Sequence, residues 1–337
     1  MNQVLAIVAW WLCLELIGLA AWPLTATFLG STASRGAAFV KHLGLLLTGY
    51  ILWLLVSLKV LENARVTILL IIALVAGLSL YVARKRLKEL WQAQRRDLLI
   101  GEAIFLVAFV AYLAFRAYDP AIDHTEQPMD FGFLNAILRS RTFPPNDMWL
   151  SGYSVSYYYF GYLLMALLTK LSAVPSGIGY NLALGTIFGL VITGAYGLVR
   201  DLVASLQCSP AWARGLGLVG AFFVGIVGNL EGFLELLHAN GLGSPAFWQR
   251  VNIPALTQAP VSNNWLPGLD WWWWRATRLI QDVNPFGIMA EVIAEFPAFS
   301  FILGDLHPHV MALPFAILAL EVAWSLLLGT RELPEGR

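Results

Sequence analysis

The amino-acid sequence predicts an all-α, polytopic transmembrane helix bundle. Of the 337 residues, 58% are hydrophobic and only 12% are charged, and the formal net charge is zero. This composition excludes an ordinary soluble domain. Because phosphate binding needs a basic surplus, the balanced charge also argues against a nucleic-acid partner.

About eight apolar runs approach the roughly 20 residues that a spanning helix needs. They occupy residues 4–28, 39–58, 66–83, 98–117, 154–172, 178–199, 214–237 and 308–329. The first run has no basic region before it and exceeds signal-peptide length, so we expect a retained first span. Cys13 and Cys208 are too few and too far apart for a disulfide framework or a thiolate metal site.

A basic cluster sets the predicted orientation of the spans. Residues 84–97 contain six Lys or Arg side chains, and such loops remain in the cytoplasm. The run at 98–117 then carries the chain outward. We therefore expect the N-terminus and residues 118–152 to face the exterior of the cell membrane.

Charge and span count disagree further along the chain. If both 154–172 and 178–199 cross, Arg200 and Arg214 lie outside, although their short loop is net basic. The charges favour a single crossing, with the other run re-entrant or in-plane and covered by protein. This choice places residues 238–306 outside and the C-terminus in the cytoplasm.

The exterior segment 118–152 concentrates the acidic residues of the chain. It contains Asp119, Asp123, Glu126, Asp130 and Asp147, together with His124, Arg139 and Arg141. After Pro128, apolar residues from Met129 to Leu138 form one stripe at helical spacing, which predicts an in-plane amphipathic helix. Asp130 falls within that stripe, so its carboxylate is expected to face the bundle. Simple complementarity to the helix dipole is the other interpretation.

The segment 238–306 is rich in tryptophan, with Trp248, Trp265 and the run at 271–274. Tryptophan favours the headgroup zone, so this segment is expected to lie along the bilayer surface as an anchor or as a platform for lipid or sugar. Its end brings Glu295, Asp305, His307 and His309 to the last span. Ionisable groups there are usually paired or functional. A divalent metal is the less favoured interpretation, and no cofactor is assigned.

Several strings in the chain occur together in a known family. They are EQPMDFGFLNAILRS at 126–140, FPPNDMW at 143–149, YYYFG at 157–161, EFP at 295–297 and GDLHPHV at 304–310. In these strings the chain resembles the Chlor_Arch_YYY membrane-protein family, whose domain has no known function. The resemblance implies N-terminal helices and a cytoplasmic loop at 1–97, a YYY-type domain at 98–329 and a polar tail at 330–337. Members are longer, which implies that this chain is an N-terminal portion or a truncated protein.

That family is distantly similar to the GT-C glycosyltransferases, which take a sugar from a polyprenyl-phosphate donor in the membrane lipid. The similarity implies a GT-C-like bundle in which Asp130, or Glu126 one turn earlier, is the catalytic base. Arg139, Arg141, His307 and His309 are candidates for stabilising the departing phosphate. The other candidate substrate-binding residues are Asp147, Tyr157, Tyr158, Tyr159, Glu295 and Asp305. The tyrosines could equally form an interfacial girdle.

A non-catalytic transporter or assembly scaffold is the alternative function. A transporter is expected to show an internal repeat and ionisable residues in several spans. No half of the chain resembles the other, and Glu15 and Glu102 look isolated in the sequence. These observations favour the glycosyltransferase.

Overall fold

The all-α prediction is confirmed by a computed structural model, which describes residues 2–254, 256–257, 265–268 and 270–331. The chain is 68% helical, and the strands among the described residues form one small hairpin. It divides into two units, residues 1–222 with 304–337 and residues 223–303. Residues 332–337 of the predicted polar tail lie outside the described part of the chain.

The described part of the first unit contains six helices that are long and apolar enough to cross a membrane. They are α1 (Gln3–Phe28), α2 (Val40–Ser57, after the 3-10 turn Ala37–Phe39), α3 (Arg65–Ala83), α4 (Leu87–Arg116), α7 (Ser176–Ser205) and α12 (Pro308–Arg331). The shorter helices are α5 (Gln127–Arg139), α6 (Phe160–Ser172) and α8 (Pro210–Gly225), of which the last three residues belong to the second unit. The chain is therefore a multi-pass membrane protein.

Two of the eight predicted runs are not single helices of membrane-spanning length. In the run 154–172 the helix α6 has only 13 residues, which is about 20 Å of helix against a hydrocarbon core of about 30 Å. The run 214–237 is split, because α8 ends at Gly225 and the next helix, α9, spans Glu231–Ala239. Hydropathy measures apolar content, so it does not distinguish a helix surrounded by lipid from one surrounded by protein.

The first unit has two ends, which we name by their charges. The basic end carries residues 84–96, and the acidic end carries residues 118–152. At the basic end, Arg200 Nη2 donates to Asp97 Oδ2 at 2.9 Å. At the acidic end, Arg116 Nε donates to Asn181 Oδ1 at 2.8 Å. Helix α7 therefore runs from the acidic end to the basic end.

Helix α6 stays at the acidic end of the first unit. Near its start, Trp53 Nε1 donates to the Tyr159 hydroxyl at 2.9 Å, and near its finish Lys170 Nζ donates to the Asn63 carbonyl at 2.6 Å. Asn63 is itself hydrogen-bonded to Arg141 in the acidic segment. The contacts thus agree with the charge-based expectation that only one of the two runs crosses.

Surrounding helices cover α6, as a non-crossing helix at membrane depth requires. Ten of its 13 residues are buried. It contacts α1, α2, α3, α5, α7 and α12. This short apolar helix therefore lies in the interior of the bundle.

Helices α4 and α7 pack closely through glycines. A Cβ atom added at Gly185 would lie 2.9 Å from Leu113, and one added at Gly189 would lie 2.7 Å from Phe105. Small residues let the backbones of membrane helices approach each other, which increases their van der Waals contact. This contact fixes the acidic ends of α4 and α7 side by side.

The second unit contains α9, α10 (Pro245–Val251), the 3-10 turn Arg275–Thr277, the strands β1 (Ile280–Val283) and β2 (Met289–Val292), and α11 (Pro297–Leu303). The two strands pair antiparallel. Within this unit Trp273 stacks on Phe299 at 6.0 Å and the Arg278 guanidinium lies 3.6 Å from the Trp274 ring. Part of the tryptophan run therefore packs inside the unit. The location of the segment 238–306 on the bilayer surface stays a prediction.

Candidate functional site

Asp130 lies on the buried face of α5, as the apolar stripe predicts. Its neighbours on that face, Phe133, Leu134 and Ile137, are buried, and Asp130 itself is 0% exposed. The Tyr162 hydroxyl of α6 donates to Asp130 Oδ1 at 2.5 Å. Asp130 Oδ2 is buried without a hydrogen-bond partner. Because Tyr162 occupies only one oxygen, the carboxylate keeps one unused acceptor inside the protein.

This environment raises the pKa of Asp130 from 3.8 to about 6. Burial is the largest cause, since removal from water disfavours the charged form. The Tyr162 hydrogen bond and the charge of His307 act in the opposite direction, whereas Asp305 and Glu126 raise the pKa further. Residues from two distant parts of the sequence therefore share one electrostatic environment.

Glu126 and His307 form a direct contact across 181 residues of sequence. Glu126 is the N-cap residue of α5, and His307 directly precedes α12. His307 Nε2 lies 2.6 Å from Glu126 Oε2, and the two side chains are 18% and 56% exposed. On its other side, His307 Nδ1 lies 3.7 Å from Asp305 Oδ2. The imidazole is thus held between two carboxylates at the accessible edge of the site.

Asp305 is buried behind this pair, at 1% exposure. The Thr125 hydroxyl lies 2.7 Å from both of its carboxylate oxygens. The preceding Gly304 has φ +75°, a conformation that glycine adopts without strain and that turns the chain before Asp305. Burial raises the pKa of Asp305, and the hydrogen bond from Thr125 opposes that shift. Thr125 and Asp305 therefore tie the acidic segment to the start of α12.

An apolar groove of about 800 Å³ borders the site. It is lined by Leu46, Tyr50, Trp53, residues 157–161, Leu164, Pro308, Met311, Ala312 and Phe315. Pro308 directly follows His307. Tyr157 stacks on Phe133 at 4.9 Å, and its pKa is raised by burial and by the charges of Glu126 and Asp130. The YYYFG string thus forms one wall of the groove, and Tyr157 brings that wall within electrostatic range of Glu126 and Asp130.

Other predicted site residues have local roles or lie elsewhere. Asp147 Oδ1 accepts the backbone N–H groups of Trp149 and Leu150, each at 2.8 Å, so it closes a turn. Arg139 is exposed at the far end of α5, about 14 Å along the helix from Asp130. Arg141 is exposed beyond it.

The remaining predicted residues divide between the two units. Tyr158 is exposed on the groove, and the Tyr159 hydroxyl accepts from Trp53. The His309 ring lies 5.3 Å from that of His307. Glu295 belongs to the second unit, where its Oε2 accepts from the Ser300 hydroxyl at 3.1 Å. Within the described residues no group of three or more His, Cys, Asp or Glu side chains is arranged to hold a metal ion.

Three functional candidates at the acidic end are not predicted from the sequence. Tyr162 and Thr125 lack any distinguishing motif, and each matters only because its hydroxyl reaches a buried carboxylate. Arg116 was expected to end a span, yet it is 7% exposed and its Nη2 donates to the Ala121 carbonyl at 2.5 Å. The sequence did carry a signal for Arg116, because an arginine at the end of a membrane helix is costly to bury.

Comparison with family models matches residues 47–335 to the family described as uncharacterized membrane protein, DUF2298. The chain belongs to this family. It is the Chlor_Arch_YYY family that the strings at 126–161 and 295–310 resemble. No curated protein and no solved structure matches the chain. The DUF2298 description carries no activity, so the chemistry of the site rests on its geometry.

Proposed function

We propose that this DUF2298 protein transfers a sugar from a polyprenyl-phosphate donor at the acidic end of its first unit. The observation that carries the proposal is the Glu126–His307 pair, whose His307 directly precedes Pro308 in the lining of an apolar groove. A polyprenyl-linked substrate has a long apolar chain and a phosphate head. The groove offers apolar walls to such a chain, and the pair offers ionisable groups to the reacting head.

The reaction needs a base and a stabilised leaving group. The acceptor oxygen forms a bond to the sugar carbon, the bond from that carbon to the phosphate oxygen breaks, and polyprenyl phosphate leaves. Glu126, which is 56% exposed, takes the acceptor proton. When protonated, His307 supplies a positive charge beside the departing phosphate.

Asp130 has a supporting role in this mechanism. Because it is 0% exposed and bonded to Tyr162, it does not meet a substrate in this conformation. Its charge instead adds to the negative potential around His307, together with Asp305. Of the two predicted bases, the geometry therefore favours Glu126.

The test measures transfer from radiolabelled polyprenyl-phosphate sugars in membranes carrying this chain and, in parallel, a longer member of the family. Glu126→Gln keeps the shape of the side chain and removes the proton acceptor, so turnover should fall by about 100-fold or more. The matched control is Glu62→Gln, an exposed carboxyl outside the site. Full activity in Glu126→Gln, or no transfer by the longer protein from any donor, would reject the proposal.

One observation favours the transporter as a second candidate. Glu15 and Glu102, expected to be isolated, are not: Lys41 Nζ lies 2.8 Å from Glu15 Oε1 and also pairs with Glu102. Trp11 Nε1 donates to Glu102 Oε1 at 3.0 Å. Two carboxylates and one ammonium thus link α1, α2 and α4. Proton uptake by proteoliposomes that disappears in Lys41→Met would favour transport, and uptake equal to that of empty liposomes would exclude it.

A further inference from the structure

A second cavity, of about 590 Å³, opens at the acidic end and shares no lining residue with the groove. Its lining comes from the ends of α1, α4 and α7, from the loop after α4 and from Phe131 of α5. Ile7, Leu113 and Leu182 form apolar walls one or two helical turns inside the bundle. The polar lining includes Arg116 and Asn181. The cavity is therefore apolar in depth and polar at the acidic end.

Arg116 is the charged side chain among the described residues that line this cavity, and no carboxylate lines it with Arg116. Its guanidinium donates to three neutral acceptors: Asn181 Oδ1 at 2.8 Å, the Ala121 carbonyl at 2.5 Å and Gln127 Oε1 at 3.4 Å. Among the described residues, no carboxylate oxygen lies within 4.0 Å of the Arg116 guanidinium, the distance that defines an ion pair. A guanidinium that is only 7% exposed normally pairs with an anion, because burial of an unpaired charge is costly.

The start of α7 adds to the positive character of the cavity. Gly177 and Ile178, in the first turn of this 30-residue helix, line the cavity. The N-cap residue Pro175 provides no side-chain hydrogen bond. A Cβ atom added at Gly177 would meet nothing within 4 Å, so the first turn is open. Free N–H groups and the helix dipole favour an anion at such an end.

We propose that this cavity binds the phosphate head of an anionic lipid, with Arg116 and the start of α7 on the phosphate and the apolar walls on the lipid chain. A guanidinium and helix N–H groups together suit a phosphate, which accepts on several oxygens. The walls formed by Ile7, Leu113 and Leu182 suit the chain attached to it. Such binding does not depend on sugar transfer, since none of its residues belongs to the Glu126–His307 pair.

The test titrates purified protein, in an uncharged detergent, with dioctanoyl phosphatidic acid, dioctanoyl phosphatidylcholine and inorganic phosphate. Arg116→Gln removes the charge and should weaken phosphatidic acid binding at least 10-fold. Ile178→Trp reduces the cavity volume and leaves the charge of Arg116 in place, so it should weaken phosphatidic acid binding similarly even if Arg116→Gln folds poorly. Arg86→Gln, an exposed arginine at the basic end, removes the same charge and should bind like wild type.

The outcomes separate the possible ligands. Weakening in both cavity variants but not in Arg86→Gln supports the lipid site. If inorganic phosphate binds as tightly as phosphatidic acid and depends on Arg116 in the same way, the ligand is the free anion. The assignment of the apolar walls to a lipid chain is then overturned. Equal affinity of all variants for phosphatidic acid, or equally tight binding of phosphatidylcholine, would overturn the site itself.

Discussion

The charge of Asp130 is expected to destabilise the folded protein at neutral pH. Its pKa rises from 3.8 to about 6 on folding, mainly through burial. At about 1.36 kcal/mol per pKa unit, this difference corresponds to about 3 kcal/mol. Because the folded pKa is the higher one, the folded state binds more protons between pH 4 and 6. Stability is therefore highest below the unfolded pKa and is lost as the pH rises through about 6.

Asp130→Asn removes this dependence, because the amide keeps the shape and the acceptor for Tyr162 but carries no charge. The melting temperatures of wild type and variant are expected to be closest near pH 4, where Asp130 is neutral in the folded protein. At pH 7.5 the variant should melt higher, by an amount corresponding to at most about 3 kcal/mol. The measurement is thermal unfolding of the purified protein in detergent from pH 4 to 8.

Glu62→Gln is the matched control, since it neutralises an exposed carboxyl near the acidic end. Its melting temperature should follow that of wild type at every pH. A variant Asp130→Asn that melts lower than wild type at pH 7.5 would refute the reasoning. In that case an interaction other than the Tyr162 hydrogen bond would stabilise the Asp130 carboxylate in the folded protein by more than burial destabilises it.

Three further predictions concern topology and packing. In a cysteine-free background, an impermeant thiol reagent applied to intact cells should label Thr142→Cys but not Lys88→Cys, and labelling of Lys88→Cys alone would reverse the orientation. Thr125→Val removes the hydroxyl that reaches both oxygens of a buried aspartate, which should cost about 1–3 kcal/mol in thermal unfolding, whereas Thr125→Ser should not. A Cβ at Gly197 would lie 2.6 Å from the Ala38 side chain, so Gly197→Ala should destabilise by about 1–3 kcal/mol. Gly77→Ala, where a Cβ meets nothing within 4 Å, should be neutral or stabilising by up to about 1 kcal/mol, and equal melting of the two alanine variants would contradict the packing.

Much of the site could be found from local patterns. The stripe from Met129 to Leu138 predicted α5 and the inward orientation of Asp130, and both are present. The string at 304–310 identified Asp305 and His307 as unusual residues at the mouth of a span. These inferences succeeded because helical periodicity and the cost of buried charge act on residues close together in sequence.

Other inferences failed because they depended on distant partners. Glu15 and Glu102 looked isolated, since nothing in their neighbourhood reveals that Lys41 of α2 lies between them. Hydropathy alone counts the run at 154–172 as a span, although the charges favour one crossing for the two runs, since hydropathy does not record that six helices surround α6. Arg139 and Arg141 were candidates for stabilising the departing phosphate, and that role stays a prediction, although the length of α5 keeps Arg139 away from Asp130.

The sequence by itself determined that this chain is an all-α membrane protein, which of its loops carries the acids, and which face of α5 carries Asp130. Only the tertiary structure decided that Glu126 meets His307, that Glu126 is accessible while Asp130 is buried, and that Arg116 lines a cavity without a carboxylate. The physical reason is the distance along the chain over which each effect acts. Composition and periodicity reflect whether each residue and its neighbours in sequence favour water, lipid or the protein interior. A pair 181 residues apart forms only when the packing of the bundle brings its helices together.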